Sequence, residues 1–96
     1  MIVWVVYDIV DNKKRSKIAK QCLEIGLYRV QKSVFLGNIT KNDRDVLKLY
    51  IEEIINKDED SVYIFPMNKD ELKDTILMGQ AFDKKYVTDQ VYELFI

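Results

Sequence analysis

The 96-residue chain contains no histidine. That absence removes Ser–His and Cys–His nucleophile pairs, imidazole metal sites and the usual neutral-pH general base. There is one cysteine, Cys22, so no disulfide can close within the chain and nothing points to an oxidising compartment. Its apolar neighbours recur at helical spacing, so Cys22 reads as a small buried hydrophobe. One proline and three glycines are the main punctuation. No Gly-rich phosphate loop, repeat, linker or low-complexity stretch occurs. The N-terminal run "MIVWVVY" is far shorter than the ~20 residues of a membrane span. No basic segment precedes it, so it does not read as a signal peptide. The expectation is one cytoplasmic domain over residues 1–96 with no membrane partner, its 48% apolar content enough for a core without metal or disulfide staples.

What is present is charge, unevenly placed. The net charge is only −1. Residues 1–41, however, hold eight bases and three acids, whereas residues 42–96 hold seven bases and thirteen acids. A chain divided this way can offer a basic face to phosphate while the remainder stays acidic and soluble. A solvated helix surface is the plainer alternative.

Residues 2–7 are apolar and rich in β-branched and aromatic types, which predicts a strand covered on both faces. Ile18, Cys22 and Ile25, flanked by Ala19 and Leu23, predict an amphipathic helix over 13–25 with a basic outer face. Asp11 or Asn12 is its N-cap, and Gly26 ends it. "LYRVQKSVFLG" at 27–37 has strand character throughout, as one bent strand or two short ones kinked near Lys32. After a loop at 38–42, Leu47, Tyr50, Ile51, Ile54 and Ile55 mark a second helix from Asp43. "DED" at 58–60 is a turn, and "SVYIF" is a buried strand closed by Pro66. "TILM" at 75–78 reads as another strand ending at Gly79, and the terminal "VYELFI" as a short edge strand. This order fits a ferredoxin-like α+β sandwich, βαββαβ plus a C-terminal strand, with two helices on one face of an antiparallel sheet. The opposite face then has no helix. Tyr63, Phe65, Val5 and Phe35 or their neighbours would be wet in a monomer, which points to a sheet-to-sheet homodimer.

The stretch "VYDIVDNKKR" carries the candidate chemistry. Asp8 closes the first strand, and Lys13, Lys14, Arg15 and Lys17 follow within the next helix. Mg²⁺ takes one or two carboxylates and keeps several waters. In a two-fold dimer, Asp8 and its partner copy could share such an ion, which would activate water and polarise a phosphoryl oxygen. The neighbouring bases would hold phosphates. A turn or cap role for Asp8 is the alternative. Tyr7, Phe35, Tyr63 and Phe65 read as core or interface, because no base-flanked aromatic run of the RNA-binding type exists.

"YDI" after a short apolar strand, followed by "RSKIAKQCLEIGLYRVQKSVFLG", resembles the small CRISPR-associated adaptation protein family, the second of the Cas proteins. The segment Arg29 to Gly37 matches that family's R-[VI]-Q-x-S-V-F-x-G pattern, and "EDSVYIFPM" its fourth-strand region. The likeness runs from Met1 to about Gly79. It implies a ferredoxin-like homodimer and a Mg²⁺- or Mn²⁺-dependent endonuclease, with Asp8 as catalytic metal ligand at the two-fold axis. It carries nucleic-acid contacts onto Arg15 and Arg29, with Lys13, Lys14 and Lys17 beside them and Tyr7, Gln31, Ser33 and Phe35 in support. Lys17 stands where some members have arginine, which keeps the charge but loses the bidentate fork. The resemblance further implies a bridging role between integrase subunits on double-stranded DNA during spacer acquisition, with single-stranded RNA as a further substrate. It also implies a core at 1–79 and a tail at 80–96 exchanged with or packed on the partner protomer. A toxin-like ribonuclease of the virulence-associated type shares the fold, and "RVQKSVFLG" favours the CRISPR family over it.

Overall fold

In a computed structural model of the chain, residues 1–79 and residue 81 are described. Strand β1 (Ile2–Asp8) is followed by α1 (Asn12–Glu24), β2 (Tyr28–Gln31), β3 (Val34–Asn38), α2 (Lys41–Ile54), β4 (Ser61–Met67) and α3 (Lys69–Asp74). The four strands form one antiparallel sheet in the order β2-β3-β1-β4, the expected ferredoxin-like arrangement. Segment 27–37 resolves into two strands, with Lys32 and Ser33 at the turn between them.

Local chemistry sets the helix ends. Asp11 caps α1 by accepting the Lys14 N–H at 2.9 Å. Gly26 follows its C-terminus at φ 99°, a left-handed conformation that most side chains resist. Thr40 caps α2 through the Asp43 N–H, so that helix begins two residues before the expected Asp43.

Alternation along β1 assigns its two faces. Val3, Val5 and Tyr7 join Phe35 against Ile18, Ala19 and Cys22 of α1 and Leu47 and Ile51 of α2. Both long helices therefore cover one face, as expected. Val5 and Phe35 are fully buried there, which corrects their placement on the uncovered face. Ile2 and Trp4 point the other way and pack with Val30, Leu36 and Leu72.

Leu72 belongs to α3, a helix the sequence reading does not contain, so the second face is partly covered. Asn68 and Glu71 start it with a reciprocal capping box, satisfying two otherwise orphaned N–H groups. The strand expected at 75–78 is absent. Thr75 ends α3 with its hydroxyl on the Glu71 carbonyl, and no described strand pairs with the residues that follow. Strand β4 also continues through Pro66 to Met67. It is an edge strand in this sheet, so the missing proline N–H breaks no necessary bond. The expected terminal strand "VYELFI" lies outside the described residues.

Candidate nucleic-acid interface and metal ligand

Asp8 is the last residue of β1 and pairs with Ser61 of β4. Alternation places it on the face of Trp4, alongside the β4 row of Tyr63 and Phe65. It is exposed, and no hydrogen bond or ion pair to its carboxylate is found among the described residues. Tyr63 and Phe65 remain 63% and 39% exposed, even though Phe65 stacks on Trp4 at 6.2 Å.

Tyr7, one residue earlier, faces the opposite way. A cleft of about 670 Å³ opens there between α1 and the β2–β3 turn. Asn12, Arg15, Ser16, Ala19, Lys20 and Leu23 line it from α1. Tyr7, Arg29, Lys32 and Ser33 complete the wall. Four of these residues are basic and none is acidic, which makes the cleft suited to phosphate.

The far wall is built around the Lys32 carbonyl. Arg29 donates to it from Nε and Nη2 at 3.1 and 2.9 Å, and the Tyr7 hydroxyl reaches it at 3.4 Å. The Tyr7 N–H donates to the Ser33 carbonyl at 3.1 Å, which ties the turn to β1. Beneath lies Phe35, with the Tyr7 ring 6.1 Å away and the Arg29 guanidinium 5.3 Å over its face. Burial raises the Tyr7 pKa above the usual phenol value, against the pull of the Arg29 charge. The hydroxyl thus stays protonated at neutral pH.

The sequence candidates therefore separate. Tyr7, Arg15, Arg29 and Ser33 meet in the cleft, with Phe35 buried as its support. Asp8 stands on the other face. Lys13, Lys14 and Lys17 lie on α1 outside this cleft, and Lys17 instead borders a shallower groove toward α2 with Lys20 and Tyr50. Gln31 ends β2 and does not line the cleft. Sequence reasoning missed Asn12, Ser16, Lys20 and Lys32 as wall residues. Helical periodicity was the available signal for the first three, since Asn12, Ser16 and Lys20 recur every fourth residue.

The described residues contain no group of three or more His, Cys, Asp or Glu side chains able to hold a metal. A hard divalent cation at Asp8 would fit as one carboxylate plus waters. No described helix is long and apolar enough to cross a membrane.

Fold and site together define a small ferredoxin-like protein with a basic cleft behind its first strand. The chain belongs to the Cas2 family of CRISPR-associated proteins, whose model, CRISPR associated protein Cas2, matches residues 1–75. The CRISPR-associated endoribonuclease Cas2 1 of Archaeoglobus fulgidus is 40% identical over 67 residues, covering 70% of this chain and 71% of that protein. The CRISPR-associated endoribonuclease Cas2 of Thermofilum pendens is 30% identical over 98 residues, covering 99% of this chain and all of that protein. Among solved structures, Streptococcus pyogenes Cas2 at pH 6.5 superposes with a TM-score of 0.71 at 28% identity, over 82% of this chain and all of that one.

Proposed function

We propose that the protein is a metal-dependent endonuclease acting as a homodimer, and that the same dimer bridges integrase subunits on DNA during spacer acquisition. The observation that carries the reading is the exposed Asp8 carboxylate, unengaged among the described residues, on the sheet face that α3 covers only in part. The acid-free basic cleft and the relatives named as endoribonucleases support it. Packing two copies through that face would cover Tyr63 and Phe65 and bring the two Asp8 carboxylates toward each other. Those carboxylates would hold Mg²⁺ or Mn²⁺, which when bound supplies Lewis-acid polarisation and an activated water. Arg15, Lys20 and Lys32 bind the substrate backbone and hold it in register, while Arg29 and Tyr7 keep the cleft wall in shape. RNA and DNA both present the phosphates that these cations need.

Purified protein and Asp8→Asn are compared for Mg²⁺-dependent cleavage, for sedimentation and, with the integrase partner, for spacer integration. The expected result is a dimer in both cases, no cleavage by Asp8→Asn, and integration retained, because bridging needs only phosphate contacts and a fixed span. Wild-type cleavage by Asp8→Asn would remove the metal-ligand assignment. A monomer at micromolar concentration would remove the dimer.

A further inference from the structure

Between Asp8 and the Asp11 cap runs a link of two residues, Ile9 and Val10. It continues the chain directly from the end of β1, where Asp8 stands. Ile9 is buried at 2% exposure. The Ile9 carbonyl accepts from Arg15 Nη1 at 3.0 Å, while Arg15 Nη2 is held by Asn12 Oδ1 at 2.7 Å. The Val10 N–H has a different holder, fifty residues away in sequence: it donates to Asp60 Oδ1 at 3.0 Å. The other oxygen of that carboxylate accepts the Asn56 N–H at 2.9 Å, and the Asp60 N–H returns to the Asn56 carbonyl at 2.8 Å.

Asp60 is thus fixed in the turn before β4 by two bonds and reaches across to the link with a third. Its chain neighbour Ser61 is the residue that pairs with Asp8. The link and the strand end are therefore held from adjacent positions of one element. An ionised carboxylate suits the task because it accepts on both oxygens and donates on neither. An asparagine would place an NH₂ group against one of the two N–H donors.

Resting on the reading of Asp8 as the metal ligand, we propose that Asp60 is a positioning residue for the cleavage reaction, its carboxylate fixing the Ile9–Val10 link and so the place of Asp8. It touches no substrate and acts through the backbone. A displacement of about 1 Å at a reacting group can cost roughly a hundredfold in rate. The cleft that binds phosphate does not include Asp60, so binding and turnover should respond differently.

The test uses the full-length protein and Asp60→Asn. Single-stranded RNA cleavage is measured in Mg²⁺, Val10 amide exchange by NMR, and the Asp8 side-chain carboxyl ¹³C shift in metal-free buffer. Asp60→Asn is expected to lower kcat about tenfold or more while KM changes by less than about twofold. It should also speed Val10 exchange and move the Asp8 shift. Asp60→Glu serves as the second variant, retaining both acceptors and recovering part of kcat. An unmoved Asp8 shift, or kcat unchanged while Val10 exchange quickens, overturns the proposal. So does a loss that falls wholly in KM. If the wild type fails to cleave, the nuclease reading fails by itself, and if Asp8→Asn cleaves normally, the metal-ligand reading of Asp8 fails by itself. The exchange and carboxyl measurements then still decide whether Asp60 holds Asp8.

Discussion

Gly37→Ala should destabilise the protein even though Gly37 sits in an ordinary strand, where alanine is normally the better residue. Gly37 lies in β3 opposite Val3 and is buried on the helix-covered face. A Cβ at this position would stand 3.0 Å from Leu27 Cδ2, 3.2 Å from Leu27 Cα and 3.3 Å from the Gly26 carbonyl oxygen. The Leu27 methyl can rotate away, but the other two contacts are backbone. They belong to the turn that brings the chain out of α1, so relief requires the end of α1 to lift from the sheet. Overpacking of this kind costs about 1–3 kcal/mol. Against it, replacing glycine lowers unfolded-chain entropy and returns about 0.4–1 kcal/mol. The net expectation is a loss of about 1–2 kcal/mol, or roughly 5–15 °C in Tm for a domain of this size. Urea unfolding should show a lower midpoint at unchanged m, since the surface exposed on unfolding hardly alters. Equal or higher stability in Gly37→Ala would refute the reasoning, because it would mean that the turn is not held against β3. Gly26 offers the contrast. A Cβ there meets nothing within 4 Å, but φ is 99°. Gly26→Ala is therefore costly through backbone strain alone, and Gly26→Asn should recover part of the loss because asparagine tolerates left-handed conformations. At Gly37 asparagine should be worse than alanine.

Two further outcomes follow from the same geometry. Lys20→Ala with Lys32→Ala should flatten the dependence of log affinity on log salt for duplex DNA by about 1.8, at about 0.9 per lost phosphate contact, whereas Lys13→Ala with Lys14→Ala should flatten it less. Equal slopes for the two pairs would place the phosphate path along the outer face of α1. Burial pushes the Cys22 thiol up to about 12, partly opposed by Arg29, so the thiolate is scarce at pH 8. A disulfide-exchange reagent should then label Cys22 only at the rate of global opening, and fast labelling of the folded protein would contradict its burial.

The sheet and both long helices were legible because their evidence is periodic and local. Ile18, Cys22 and Ile25 announce a helix whatever surrounds them, and Asp11 and Gly26 mark its ends. Helix α3 was legible in principle, since the Asn68 and Glu71 pair is a capping signature. The apolar "TILM" that follows masks it by looking like a strand. That segment shows why composition alone misleads: Ile76 and Met78 are 80% and 81% exposed, and a strand needs a neighbour as well as a sequence. Asp60 could not have been found. Its partners are the backbone N–H groups of Val10 and Asn56, which leave no mark on residue type.

The separation of the site into two faces was, by contrast, written in two adjacent letters. Tyr7 and Asp8 are consecutive in a strand, so their side chains must point to opposite sides of the sheet. The acid and the cleft can therefore approach each other only around the end of β1, where the Ile9–Val10 link runs. Arg15 belongs to both surroundings, since it lines the cleft and holds the Ile9 carbonyl at 3.0 Å. Its guanidinium is already partly committed to the backbone. Arg15→Lys would thus keep the positive charge in the cleft while losing the fork that reaches both Ile9 and Asn12. In this protein the base that follows the acid is as much a part of the acid's mounting as of the basic cleft.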